Sequence, residues 1–225
     1  MTTAESAVAA EVALATVSVA AMLGLAELMA NWGDAWAQIA GLLVAASFVG
    51  VPLGIARWRK LPADILAVDP PIWPAVRMAL LVAAVVLPIY AIGFDSWHTL
   101  VLHKLRIVPT SAAWRGLPEQ ILVQLGAIAV PEELFFRGYV QGRLQQVWPA
   151  RRRLLGQPFG AAHVVAALLF ALIHLVAVPA PFRLLVFFPG LLFGWLAQRT
   201  GSALAAAVLH ALCNVALFLL QPLYV

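Results

Sequence analysis

The run Ala129-Val130-Pro131-Glu132-Glu133-Leu134-Phe135-Phe136-Arg137-Gly138 sets two adjacent carboxylates and a guanidinium among leucine and phenylalanine. In a membrane-spanning helix such charges cost at least ~2.5–3.5 kcal/mol each at mid-bilayer, so they mark a site before anything else is known. At about 100° per residue, Glu133 and Arg137 stand one above the other, with the glutamate first, the favourable order for an ion pair. Glu132 points about a quarter-turn away. A single Glu–Arg pair suffices to lock two helices together, and the second carboxylate is left over for other work. Two further pairs share helical faces at i, i+4: Phe170 with His174, and His210 with Asn214. Histidine and carboxylate together can supply general-base chemistry or hold a metal.

The elements that must position these residues are membrane helices. Of the 225 residues, 64% are apolar and 11% charged, against roughly 25% charged in an average soluble domain. Such a chain cannot cover its surface with polar groups in water, which excludes a soluble enzyme, a nucleic-acid module and a disordered chain. The net charge of +4 reflects basic loops beside a membrane, not a nucleic-acid partner. The lone Cys213 excludes an intrachain disulfide framework. Apolar runs near the ~20 residues a span needs fall at 8–30, 35–56, 76–94, 119–147, 159–178, 184–198 and 203–221. The expected fold is therefore all-α: a polytopic bundle of about seven spans, with accessory helices and loops over 1–118 and the core that bears the charged motifs over 119–225, in the last four helices. The N-terminal run carries Glu5 and Glu11 where a signal peptide has a basic region, and reads as a retained first helix.

Depth arithmetic joins the polar residues. At ~1.5 Å per residue, Glu132 lies about 16 Å from Arg143, His174 about 22 Å from Phe159 and His210 about 12 Å from Ser202, all measured from one side. Three helices of alternating direction thus place their polar groups within the middle third of a bilayer, which favours one shared polar cavity. That side carries nine basic residues (Arg57, Arg59, Lys60, Arg77, Arg143, Arg151, Arg152, Arg153 and Arg199). The other carries four (Lys104, Arg106, Arg115 and Arg183), so the N-terminus is expected in the cytoplasm. Trp32, Trp36, Trp58, Trp73, Trp97, Trp114 and Trp148 gather near span ends as an interfacial belt. His163, His98 and His103 read as interfacial or surface residues, Glu11 and Glu27 as reaching for headgroups or water, and Cys213 as packing.

The ordered set Glu132-Glu133-x-x-x-Arg137, Phe170-x-x-x-His174 and His210-x-x-x-Asn214 resembles the CPBP (CAAX protease and bacteriocin-processing) family of intramembrane proteases. Gly190-Leu-Leu-Phe-Gly194 and Gln198-Arg-Thr-Gly-Ser202 are similar to that family's penultimate helix and its turn. The match covers about residues 119–216, and the first hundred residues carry no family signature. The resemblance implies a glutamic-type endopeptidase in which Glu132, assisted by His174, activates water. Glu133 and Arg137 would support and orient that carboxylate, and His210 and Asn214 would stabilise the oxyanion.

The resemblance also keeps a Zn²⁺ reading open, with Glu132, His174 and His210 as ligands and water as the fourth. Against zinc, the chain has no His-Glu-x-x-His, and asparagine at i+4 from His210 is a poor zinc ligand. No cofactor is the favoured expectation. The implied partners are membrane lipid and a membrane-embedded or lipidated protein or peptide, in a bacterial inner (plasma) membrane. Processing of a C-terminal sorting helix and of a bacteriocin-type peptide both fit. A catalytically silent bacteriocin-immunity or binding protein is an alternative, against which the complete residue set argues. A transporter is another, and it would predict inverted halves that the sequence does not show.

Overall fold

The computed structural model describes residues 2–62, 64–68 and 71–225. Seven helical stretches follow in the expected order: α1 Thr3–Ala30, α2 Asp34–Arg59, α3 Ile72–Ser96, α4 over residues 117–147, α5 Ala161–Ala177, α6 Phe187–Thr200 and α7 Ala203–Leu220. A π turn, Trp97–Val101, extends α3, and a 3₁₀ turn, Pro181–Val186, leads into α6. With these extensions α3, α6 and α7 join α1 and α2 as five stretches long and apolar enough to cross a membrane. Of the two remaining expected spans, α5 is apolar but has 17 residues, while α4 is long and carries the charges. The chain is an all-α polytopic membrane protein. Helices are the natural outcome of this composition, because backbone N–H and C=O groups inside a bilayer must be paired within the chain.

Local sequence sets the helix ends. Thr2 and Glu5 form a reciprocal capping box at the start of α1. Between α6 and α7, Gly201 takes the left-handed conformation (φ 71°) and the Ser202 side chain accepts from the Leu204 N–H. The arginine-rich break after α4 is a small antiparallel hairpin, Arg152–Leu154 (β1) against Gln157–Phe159 (β2), in the register Arg152↔Phe159. Its two turn residues, Leu155 and Gly156, both have positive φ, as a tight hairpin turn requires.

Small residues let the helices approach. Ala75, Ala79 and Ala83 repeat at four-residue intervals on α3 and are buried, and α3 packs on α7, whose Ala203, Ala205, Ala206 and Ala207 are also buried. The N-terminal helices share the main core: the rings of Phe48 and Phe135 lie 5.6 Å apart, joining α2 to α4. Glu11 does not reach for headgroups. It accepts from Arg143 Nε at 2.8 Å and from Tyr139 Oη at 3.0 Å and pairs with Arg59, tying α1 to α2 and α4. After α3, an extended strap runs beside the C-terminal residues, with Leu105 and Val225 exchanging backbone hydrogen bonds and Ile107 N donating to Leu223 O at 2.9 Å.

Candidate active site

α4 is not a uniform α-helix. Wide π turns at Val123–Ala129 and Leu134–Gln141 bracket the short α segment Val130–Glu133. Pro131, which has no N–H to donate into a helix, sits in that segment directly before the two glutamates. π turns recur at functional positions because they re-aim side chains out of the regular helical register.

Glu133 is fully buried and held from two sides. Arg137 Nε lies 2.8 Å from Oε2, and His210 Nδ1, donating from α7, lies 3.0 Å from Oε1. The expected Glu133–Arg137 pair is therefore present, and its second partner fastens α4 to α7. Two charges out of water carry a desolvation penalty of several kcal/mol per ion, which only close pairing offsets. The guanidinium also lies over the Phe170 ring, 4.7 Å from its centroid, with Phe136 and Phe193 each 5.9 Å away.

Glu132 faces another wall, as its angular offset predicts. It is half-buried, its Oε2 is buried with no hydrogen-bond partner among the described residues, and it lies within electrostatic reach of both His210 and His174. His174 donates from Nδ1 to the Phe170 carbonyl at 2.7 Å, which fixes the orientation of the ring. Its ring meets Phe170 edge-on at 4.6 Å, and Phe193 stacks on His210 at 5.1 Å. Asn214 donates to Gln124 Oε1 at 2.8 Å, a contact back to α4 that leaves one amide N–H unspent.

His174, His210 and Asn214 converge on the wall of a cavity of about 570 Å³ between α3, α5, α6 and α7. Ile89 on α3 and Phe188 on α6 also line it and are 65% and 64% exposed, so its mouth opens sideways where lipid would lie. Cys213 lines it too, beside Asn214. Neither glutamate is on this wall, and the two histidines stand between it and the carboxylates. Among the described residues no three His, Cys, Asp or Glu side chains converge closely enough to hold a metal ion, and His210 Nδ1 is committed to Glu133. A zinc ion on Glu132, His174 and His210 would need those side chains to move.

His163 departs from its expected place. It is 2% exposed; Nε2–H donates to the Leu191 carbonyl at 2.8 Å and Nδ1 accepts from Gln198 at 3.4 Å. Gly194 packs closely beside it: a Cβ there would meet Gln141 Oε1 at 2.6 Å and His163 Nε2 at 3.0 Å, so the glutamine side chain would have to shift. Gln124 and Gln141 were not singled out by spacing, because one glutamine on an apolar helix has no pattern to betray it, and Phe193 and Gln198 entered only within the stretches that carry the resemblance.

Residues 114–216 match the family model described as type II CAAX prenyl endopeptidase Rce1-like, which contains all six candidate residues. That stretch is similar to Rce1-like domains, and the match implies a CAAX-type intramembrane protease. No curated protein and no solved structure matches the chain.

Proposed function

We propose that this integral membrane protein, Rce1-like over residues 114–216, is a glutamic-type endopeptidase that hydrolyses a peptide bond of a membrane-embedded or lipidated substrate. One observation carries the reading: the Glu133 carboxylate is clamped between Arg137 and His210, and His210 lines a cavity together with His174 and Asn214. In the proposed reaction Glu132 takes a proton from a water that His174 Nε2 helps to orient. The resulting hydroxide adds to the scissile carbonyl. His210, as an imidazolium balanced by Glu133, and the spare N–H of Asn214 stabilise the oxyanion. On collapse, Glu132 returns its proton to the departing amine, and acid and amine products result. Glu133 keeps His210 in place and offsets its charge, and Arg137 holds Glu133.

The substrates we favour are a C-terminal sorting helix or a bacteriocin-type peptide, in a bacterial inner membrane with the N-terminus cytoplasmic. The test is comparative terminal proteomics of cells carrying wild-type or Glu132→Gln protein. The variant keeps the shape and removes the base, so wild-type-dependent new termini should vanish while the protein remains folded in the membrane. Equal cleavage by the two would sink the assignment of Glu132.

A zinc mechanism with the same residues makes a different prediction. Purified protein should then hold stoichiometric zinc, lost and regained together with activity. Under the glutamate mechanism, elemental analysis of fully active protein gives substoichiometric zinc.

A further inference from the structure

We propose that the hydrolytic water reaches this site by its own route, through a second, polar cavity of about 250 Å³ that meets Arg137 from the side away from the substrate cavity. The inference rests on the endopeptidase reading above. The two cavities lie toward opposite ends of α6: the larger is lined by Phe188 and Phe193, the smaller by Ala197 and Gln198. The smaller begins at exposed Asp64, Gln146 and Gly201 and ends at buried Arg137 and Gln141.

Its inner wall demands water. Arg137 Nη1 and Nη2, Gln141 Oε1 and Gln198 Oε1 are all buried, and none has a hydrogen-bond partner among the described residues. Buried polar atoms are nearly always paired with protein or ordered water, and leaving each unpaired costs about 1–3 kcal/mol. At roughly 30 Å³ per molecule, the volume admits about eight waters. The substrate cavity offers a more apolar environment, although Arg183, whose buried Nε also lacks a partner among the described residues, lines it with His174, His210 and Asn214. It is walled mainly by valine, leucine, isoleucine and phenylalanine, and an apolar segment entering it expels water from that side. Hydrolysis consumes one water per turnover, so a site whose substrate displaces water needs a supply from elsewhere. The guanidinium that closes the polar cavity is the one paired with Glu133, and Glu133 adjoins Glu132 in the chain. Arg137 is itself within electrostatic reach of Glu132, so water held at the guanidinium lies in the neighbourhood of the proposed base.

Gly142 provides the test. It lines the polar cavity, and a Cβ built on it meets nothing within 4 Å. In a Cys213→Ala background, Gly142→Cys carries the sole cysteine. The probes are the charged, water-soluble thiol reagent sulfonatoethyl methanethiosulfonate and the apolar reagent N-ethylmaleimide, with exposed Gln146→Cys as the reference. The expected result is labelling of Gly142→Cys by the charged reagent within about tenfold of the reference rate. Labelling should then cut formation of the wild-type-dependent termini in membrane vesicles at least tenfold, and dithiothreitol should restore it by releasing the plug.

Restoration shows that blocking the route, not misfolding, caused the loss. Should Gly142→Cys fail to fold, Gln198→Cys serves in its place. Reaction with N-ethylmaleimide alone would show a dry cavity and overturn the proposal. Fast labelling that leaves cleavage within twofold would overturn the supply role. Fast labelling in a protein whose unlabelled parent cleaves nothing would instead indict the endopeptidase reading.

Discussion

The hydrogen bond from Asn214 to Gln124 makes a glutamine outside the recognised motifs part of the candidate site. If Asn214 stabilises an oxyanion, its amide must be aimed before the charge develops, and Gln124 is what aims it. Asn214→Ala should lower kcat by ~10²–10³-fold with little change in KM, the signature of an interaction made in the transition state. Gln124→Leu should lower kcat by a smaller factor, about tenfold, because the amide remains but is free to turn. Steady-state kinetics on a substrate peptide would check both, and a pure rise in KM would assign Asn214 to substrate positioning instead. Sequence reveals such residues unevenly. Glu133 with Arg137, Phe170 with His174, and His210 with Asn214 were legible because helical spacing places each pair on one face. Gln124 was not, since its partner is ninety positions away. His163 and Glu11 were misplaced for a related reason. Nearness to a span end suggests an interface, but Leu191 and Gln198 close over His163 while Arg143 and Tyr139 reach Glu11.

At the scale of elements, α4 is where length and packing meet. Its apolar run was visible, whereas the two π turns were not, because a widened turn depends on neighbours that the local sequence does not encode. Pro131 was the only local sign of disturbance. The same helix receives the connection between α2 and α3 at Gly138. A Cβ there would stand 2.4 Å from the backbone oxygen of Leu66, in a place where neither backbone can yield cheaply. Gly138→Ala should therefore destabilise the protein by about 1–3 kcal/mol through overpacking, although alanine is the better helix former. Gly126→Ala, whose Cβ would meet nothing within 4 Å, should be neutral or stabilising by up to about 1 kcal/mol. Thermal unfolding in detergent measures both. Equal melting temperatures would mean that the Leu66 segment does not rest on α4 as described.

For the whole molecule, the number and order of helices followed from apolar run length, but the arrangement of the cavities did not. Which helix lies beside which depends on small residues that allow close approach, such as buried Ala75, Ala79 and Ala83 on α3, which packs on α7, and Ala129 on α4 with Ala207 and Ala211 on α7. That packing leaves the larger cavity's mouth flanked by Ile89 and Phe188, facing the bilayer plane. The consequence is kinetic. A substrate that arrives sideways is sampled in two dimensions, so its effective concentration is its mole fraction among lipids, not its molarity in the suspension. At fixed amounts of enzyme and substrate below saturation, doubling the inert phospholipid in reconstituted vesicles should halve the rate of cleavage. Doubling the buffer volume should leave that rate unchanged. A substrate entering from water would respond the other way round, and a membrane crowded with bystander helices would slow this protein without inhibiting it.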